Sequence, residues 1–112
     1  MADVLPPQKV SELGAQLVDV RNDEEWDESR IPGARHVPFD RLQAEAGKLD
    51  ADRPVVFYCR AGDRSAAAAD ALESAGREAY SMEGGLVAWK EAGLPLEPEG
   101  AEVAAHHQMP PD

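Results

Sequence analysis

The sequence predicts an α/β domain, and three observations carry that reading. From Gln16 to about Ser81, short apolar runs alternate with longer polar or alanine-rich stretches, the rhythm of strands separated by helices. Two of the runs are rich in β-branched residues, and one is apolar throughout, as a strand covered on both faces should be. Proline and glycine bound the weaker segments. A chain of 112 residues has room for one domain and little more.

In chain order, Pro7 to Leu13 reads as a helix and Leu17-Val18-Asp19-Val20 as a central strand. A short acidic turn follows around Asp23 to Glu28. Arg35-His36-Val37, between Pro32-Gly33 and Pro38, is a weaker strand candidate, and Asp40 to about Ala46 a helix. Pro54 to Cys59 is the strongest strand, and Arg64 to Ala75 the best-defined helix. Asp63 or Ser65 is expected to cap that helix, Ala66 to Ala69 and Ala71 have the highest helix propensity, and Gly76-Arg77 makes a good stop. Its alanines also let it lie close to a sheet. Glu78-Ala79-Tyr80-Ser81, between Gly76 and Gly84-Gly85, is a fourth strand, and Leu86 to Ala92 a last helix closed by Gly93 and Pro95. This places the domain at 1–97. Residues 98–112 carry Pro and Gly and almost nothing large to bury, so they read as an acidic, disordered tail.

Apolar types make up 43% of the chain and charged types 29%, a composition that supports a packed core. The net charge of -11 argues against nucleic acid or an anionic membrane as the main partner. No apolar stretch approaches the roughly 20 residues that span a bilayer, and the start, MADVLPPQKV, lacks a basic segment followed by an apolar one. A cytoplasmic protein is expected, and a monomer. The single cysteine, Cys59, rules out an intramolecular disulfide and a cysteine-based metal site, and it fits a reducing compartment.

That cysteine ends the strongest strand and immediately precedes the strongest helix, in Cys59-Arg60-Ala61-Gly62-Asp63-Arg64-Ser65. Ligands bind at the carboxyl ends of strands in open α/β sheets, and a helix start offers unpaired N–H groups and the positive end of a dipole. A thiolate would be favoured there. Arg60 and Arg64 add positive charge, Gly62 permits an unusual turn, and the loop is short enough to curl around one small anion. The residues therefore point to a nucleophilic cysteine in an anion cradle, with a buried structural cysteine as the alternative.

The loop resembles the active-site loop of rhodanese-like sulfurtransferases, and the likeness extends beyond it. Leu17-Val18-Asp19-Val20-Arg21 is similar to that family's strand ending in Asp-Val-Arg, and Glu25 with Ile31-Pro32-Gly33-Ala34 to its Glu and Gly-His-Ile-Pro-Gly-Ala segment. Gly84-Gly85, Trp89 and Gly93-Leu94-Pro95 resemble its closing helix. These motifs cover about residues 4 to 97 in the family's order. The resemblance implies a five-stranded, mostly parallel sheet with helices on both faces, the fifth strand being a short piece near Val4-Leu5. The chain departs from the pattern at Ser29-Arg30, where Gly-His is usual, so an altered local turn is expected there and no role of that histidine carries over.

The resemblance further implies that Cys59 takes a sulfane sulfur from thiosulfate or a persulfide donor, holds it as a persulfide and gives it to cyanide or a thiol. No metal or organic cofactor is required. Partners are then a small anionic sulfur donor and, in a relay, a protein donor or acceptor. The N–H groups of Arg60 to Ser65 would face the terminal sulfur, and Arg60 and Arg64 would attract the donor. Asp19 and Arg21 are expected to organise the loop or the Glu25 turn by ion pairing, with Arg21 on Glu25 as the specific pair and an ordinary exposed arginine as the alternative. Trp26 and Trp89 read as packing residues. His106-His107 lack the further ligands a metal site needs, and His36 has no carboxylate or cysteine partner visible by spacing.

Two other functions compete. Cysteine phosphatases, including those on this same fold, need Cys, five residues and then Arg around a phosphate. Here Arg64 follows Cys59 after four residues and position 65 is Ser, which disfavours that chemistry. A persulfide carrier or partner-binding module remains, although a module that has lost catalysis would be expected to have lost its cysteine.

Overall fold

In the computed structural model, which describes residues 2–101 and 103, the apolar runs form one sheet of five strands. The elements are β1 (Asp3–Leu5), α1 (Pro7–Leu13), β2 (Gln16–Asp19), α2 (Asp23–Glu28), β3 (Arg35–His36), α3 (Leu42–Glu45), β4 (Val55–Tyr58), α4 (Asp63–Ser74), β5 (Ala79–Met82) and α5 (Gly85–Glu91). The expected helix from Asp40 to Ala46 is in fact three pieces, α3 standing between two single 3-10 turns. The strand near Val4-Leu5 exists, and it pairs with β5.

Strand order is β1-β5-β4-β2-β3, and every neighbouring pair is parallel. Parallel neighbours need crossover connections, which is why helices fall between them and cover both faces. β4 lies in the middle with all four residues buried. Its side chains alternate: Val55, Phe57 and Cys59 join one cluster with Ala68, Ala69 and Leu72 of α4, while Val56 and Tyr58 join another with Val10 of α1 and Leu86 and Trp89 of α5. Ala68 and Ala69 are fully buried, so the small side chains of α4 do let it approach the sheet.

The stop predicted at Gly76-Arg77 forms as a Schellman motif, with Gly76 N–H on the Glu73 carbonyl (2.9 Å) and Arg77 N–H on that of Leu72 (3.1 Å). At the other end of the chain, Glu97 and Arg30 exchange backbone hydrogen bonds of 2.9 and 2.8 Å, and Val103 lies against the α1–α5 cluster. Residue 102 and residues 104–112, with His106-His107, lie outside the described residues. Among the described residues no helix is long and apolar enough to cross a membrane.

The strand order reverses direction between β2 and β4: the chain steps outward from β2 to β3, then returns to the far side of β2 to build β4 and β5. Loops leaving the carboxyl ends of two such strands separate and leave a crevice. Cys59 stands at the end of β4 and Arg21 just beyond β2, on the two sides of that crevice.

The turn into α5 closes over the end of β4 at contact distance. Leu86 N–H donates to the Cys59 carbonyl (2.8 Å) and Val87 N–H to that of Arg60 (3.1 Å). Gly85 sits between them with φ at 61°, and a Cβ there would stand 2.4 Å from the Arg60 carbonyl oxygen and 2.5 Å from that of Cys59. Gly85→Ala should therefore lower stability by about 1–3 kcal/mol from the left-handed backbone alone, and by more once the carbonyls are displaced. Urea unfolding of the variant measures this; a midpoint equal to the wild type's would refute the close approach.

Candidate active site

Leaving β4, the chain turns through Arg60 and Ala61 to Gly62, whose φ of 124° is a conformation that side chains resist, and enters α4 at Asp63. Gly62 is the residue that caps the helix, and it does so without a side chain. The cap expected from Asp63 or Ser65 does not form, because α4 begins at Asp63 and both residues already lie inside it. Ser65 instead turns its hydroxyl back to the Gly62 carbonyl at 3.1 Å.

This turn directs the Gly62 N–H at the cysteine, 3.0 Å from Cys59 Sγ. Cys59 itself is fully buried. Its sulfur also lies 3.5 Å from Ser65 Oγ, which is in turn 2.8 Å from Ser81 Oγ of β5. Arg60 and Gly62 are half-buried, Ala61 and Asp63 exposed.

At the end of β2 lies a fully buried ion pair, Asp19 with Arg21. Arg21 Nε is 3.0 Å from both carboxylate oxygens, its NH2 is 2.7 Å from Oδ2, and its backbone N–H donates to Oδ1 at 2.9 Å. The same NH2 reaches the Ser29 carbonyl, and the guanidinium lies 5.9 Å from the centre of the Tyr58 ring. Burial works against the charge of Arg21, but the hydrogen bonds and charge of Asp19 outweigh it and raise its pKa. Burial and the neighbouring Asp19 also push the Tyr58 phenol up, so it stays neutral and accepts the Ile31 N–H at 3.2 Å. A buried pair of this kind costs several kcal/mol if one member alone is removed.

The ion pair expected between Arg21 and Glu25 is replaced by two others. Arg21 turns back to Asp19, two positions away on the same face of the strand, and is neither exposed nor the main partner of Glu25. Glu25 is held by Arg64, whose NH1 and NH2 lie 2.9 and 3.1 Å from its two carboxylate oxygens. The acidic turn around Asp23 to Glu28 is a true helix started by a reciprocal cap: Asn22 Oδ1 accepts the Glu25 N–H at 2.9 Å, and Glu25 Oε1 accepts the Asn22 N–H at 3.1 Å. The Asn-x-x-Glu spacing at 22–25 is a sequence signal that could have revealed this cap. Nothing comparable marks Ser81, which sits in an ordinary strand pattern.

Ser29 ends α2 in extended backbone, φ -164° and ψ 149°, which any residue adopts, so the departure from glycine does not require an altered turn there. Arg30 packs its guanidinium 5.3 Å from the Trp26 ring centre and donates to the Trp26 carbonyl at 2.8 Å. His36 stacks on Trp26, ring centres 4.8 Å apart, and donates Nε2–H to the Arg21 carbonyl at 2.8 Å. The sequence shows no acidic partner for His36 by spacing, yet Asp23 Oδ1 lies 3.8 Å from Nδ1, brought there from α2. Trp89 is buried and donates Nε1–H to the Pro95 carbonyl at 2.7 Å. Among the described residues no group of three or more His, Cys, Asp or Glu side chains is placed to hold a metal ion.

Residues 7–92 match the family described as "Rhodanese-like domain". The chain is 39% identical over 105 residues to the HTH-type transcriptional regulator Rv0324 of Mycobacterium tuberculosis, an alignment covering 91% of this chain and 45% of that protein. It is 37% identical over 86 residues to a sulfurtransferase of Allochromatium vinosum, covering 75% of this chain and 80% of that one. Among solved structures, a rhodanese-related protein from Thermoplasma volcanium superposes with a TM-score of 0.82 at 27% identity, over 87% of this chain and 99% of that one. The chain thus spans less than half of the mycobacterial regulator.

The Glu25–Arg64 pair has a pH signature. Burial works to raise the Glu25 carboxyl, but the Arg64 hydrogen bonds, the Asn22 N–H and the charges of Arg64 and Arg21 outweigh it and hold its pKa below the usual carboxylate range. A group lowered on folding contributes stability that is complete above its unfolded value of about 4.3 and is lost as pH falls through the folded value. Glu25→Gln should therefore melt at a lower temperature than the wild type at pH 7, and the gap should narrow below about pH 4. A gap independent of pH, followed by circular dichroism, would show that the carboxylate charge does not stabilise the fold.

Proposed function

The chain belongs to the rhodanese-like domain family, and from that premise we propose that it is a sulfurtransferase that carries sulfane sulfur as a persulfide on Cys59. One observation supports this above the others: the only cysteine ends the central strand at the crevice, with the Gly62 N–H 3.0 Å from its sulfur at the head of α4. The same geometry suits a sulfur anion, which needs fixed donors and no proton transfer.

In the first half-reaction the Cys59 thiolate attacks the outer sulfur of thiosulfate. A bond forms between Sγ and that sulfur, the bond to the sulfonate sulfur breaks, and sulfite leaves with the electron pair. In the second, cyanide or a thiolate attacks the terminal sulfur of the persulfide and the Cys59 thiolate leaves, restored. Donor and acceptor balance each other, so no external oxidant or reductant is needed and no cofactor takes part. A protein persulfide can replace thiosulfate as donor, which would make the domain a relay between proteins.

Arg64 and Arg60 play different parts in this proposal. Arg64 is clamped by Glu25 and so ties the end of the loop to α2, an arrangement that favours a fixed sulfur cradle over the wider ring a phosphate requires. Arg60, half-buried on the loop, adds charge at the approach.

After thiosulfate treatment the wild type should gain the mass of one sulfur, removable by a reducing thiol, whereas Cys59→Ser should gain nothing and transfer no sulfur; transfer above background by the variant would end the assignment. Arg64→Ala should lower the maximal rate at any salt concentration, and Arg60→Ala should mainly raise the apparent KM for thiosulfate, less so as salt is added. Steady-state kinetics at two ionic strengths test this, and equal responses of the two variants would refute the division of roles.

A further inference from the structure

We propose that Ser81, a residue of β5 outside the cysteine loop, is a positioning residue for the nucleophile: it fixes Ser65 as the hydroxyl that donates to Cys59 Sγ once the thiol has lost its proton. The inference rests on the reading of Cys59 as the nucleophile, and it follows from counting hydrogens in a buried cluster.

Ser65 Oγ has three neighbours: the Gly62 carbonyl at 3.1 Å, Ser81 Oγ at 2.8 Å and Cys59 Sγ at 3.5 Å. A carbonyl has no proton to give, so Ser65 is the donor to Gly62. A hydroxyl has only one proton, so the bond between the two serines must be given by Ser81. The second lone pair of Ser65 is then available to the Cys59 S–H. The oxygen of Ser65 is saturated, with one hydrogen given and two received. Ser65 is fully buried and Ser81 2% exposed, so water is not at hand to mend a missing bond.

When the thiol loses its proton, the sulfur stops donating and needs donors. Rotation of the Ser65 hydroxyl hydrogen from Gly62 O toward Sγ supplies one, with no heavy atom required to move. The Gly62 carbonyl is not orphaned by the change, because it keeps the Ala66 N–H at 3.0 Å. The Gly62 N–H stays on Sγ throughout, so the thiolate ends with two donors. Ser65 still accepts from Ser81.

The sign of a Ser81 deletion follows. Without Ser81, the Ser65 oxygen still accepts from the S–H in the thiol state, but in the thiolate state it gives its proton and receives none. A buried unsatisfied acceptor is costly, so the loss falls on the thiolate alone. The charged and titratable groups on the elements around the thiol are Tyr58 of β4, Arg60 of the loop, Asp63, Arg64, Asp70 and Glu73 of α4, Glu25 of α2 bound to Arg64 with Asp23, Glu24, Asp27 and Glu28 of the same helix, and Asp19 with Arg21 at the end of β2. Glu83, Lys90 and Glu91 belong to the β5–α5 segment. Ser81→Ala leaves every one of them in place. Tyr80, its neighbour in β5, hydrogen-bonds Glu78 at 2.6 Å in an exposed setting.

The test is the rate of Cys59 alkylation by iodoacetamide against pH, with each variant's fold checked by circular dichroism. Ser81→Ala should move the midpoint up by about 1 pH unit, a roughly tenfold loss of thiolate below the midpoint. Ser81→Thr, which keeps the hydroxyl, should hold the wild-type midpoint. In a Ser65→Ala background, Ser81→Ala should add no further shift, because its effect passes through Ser65. An unmoved or lowered midpoint in Ser81→Ala, a raised one in Ser81→Thr, or a full additional shift in the double variant would each overturn the proposal. If Ser81→Ala does not fold, Ser81→Val, matched in shape to Ser81→Thr but without the hydroxyl, takes its place, and a midpoint equal to that of Ser81→Thr would overturn the proposal. No sulfur donor enters the measurement, so a failed sulfur-transfer assay and a failed alkylation profile remain separate results.

Discussion

Everything at the crevice depends on how the chain is held just after the central strand. Parallel pairing carries β4 as far as Tyr58, whose carbonyl still accepts the Val20 N–H at 3.0 Å. Past that point the sheet offers no partners for the carbonyls of Cys59 and Arg60. The first N–H groups of α5, orphaned by the geometry of any helix start, meet them there. Two deficits cancel in one contact. The loop is thereby anchored at its beginning by backbone alone, and a glycine at position 85 is what permits the approach.

The end of the loop is anchored differently, through side chains from the far side of the crevice. Arg64 reaches Glu25, Glu25 is fixed by Asn22, and the backbone leading to Asn22 is fixed by the buried Asp19–Arg21 pair. Arg21 also holds the Ser29 carbonyl at the other end of α2, so one guanidinium ties both ends of that short helix to β2. Asp19 and Arg21 lie buried on the Tyr58 face of the sheet, while Val18 and Val20 face the other way, into the cluster that holds Cys59. Between these supports the stretch Arg60-Ala61-Gly62 carries the chain from β4 to α4, with glycine where the backbone takes a positive φ.

Much of this was legible in the sequence, for physical reasons. The apolar run at 54–59 declares its burial directly, the alanines around Ala68 and Ala69 the close approach of a helix, and the cysteine between them marks the candidate site. What could not be read were contacts between residues far apart in the chain or masked by ordinary patterns. Arg21 and Glu25 are four positions apart, which invites a local pair, yet a turn separates strand from helix between them and sends each to a different partner. The partner of Glu25 lies 39 positions onward, a distance at which sequence carries no geometric information. His36 meets Asp23 only because β3 runs beside the end of β2. The cap of α4 carries no signal in the sequence because glycine offers no side chain to recognise. Serine in a strand is common enough that Ser81 gave no sign of the company it keeps.

The pairing of β1 with β5 has a consequence for how the chain acquires its structure. Val4 lies opposite Ser81, so the strand synthesised first has its partner near the other end of the domain. During synthesis β1 must wait for nearly the whole domain to emerge, and long-range parallel pairing of this kind is slow because loop closure precedes any reward. β5 and the start of α5 arrive together, bringing Ser81 and the N–H groups that receive the Cys59 loop. A nascent chain that ends before them lacks the partners of Cys59, and the hydrogen-bonded surroundings of its thiol are complete only as the last crossover locks the sheet.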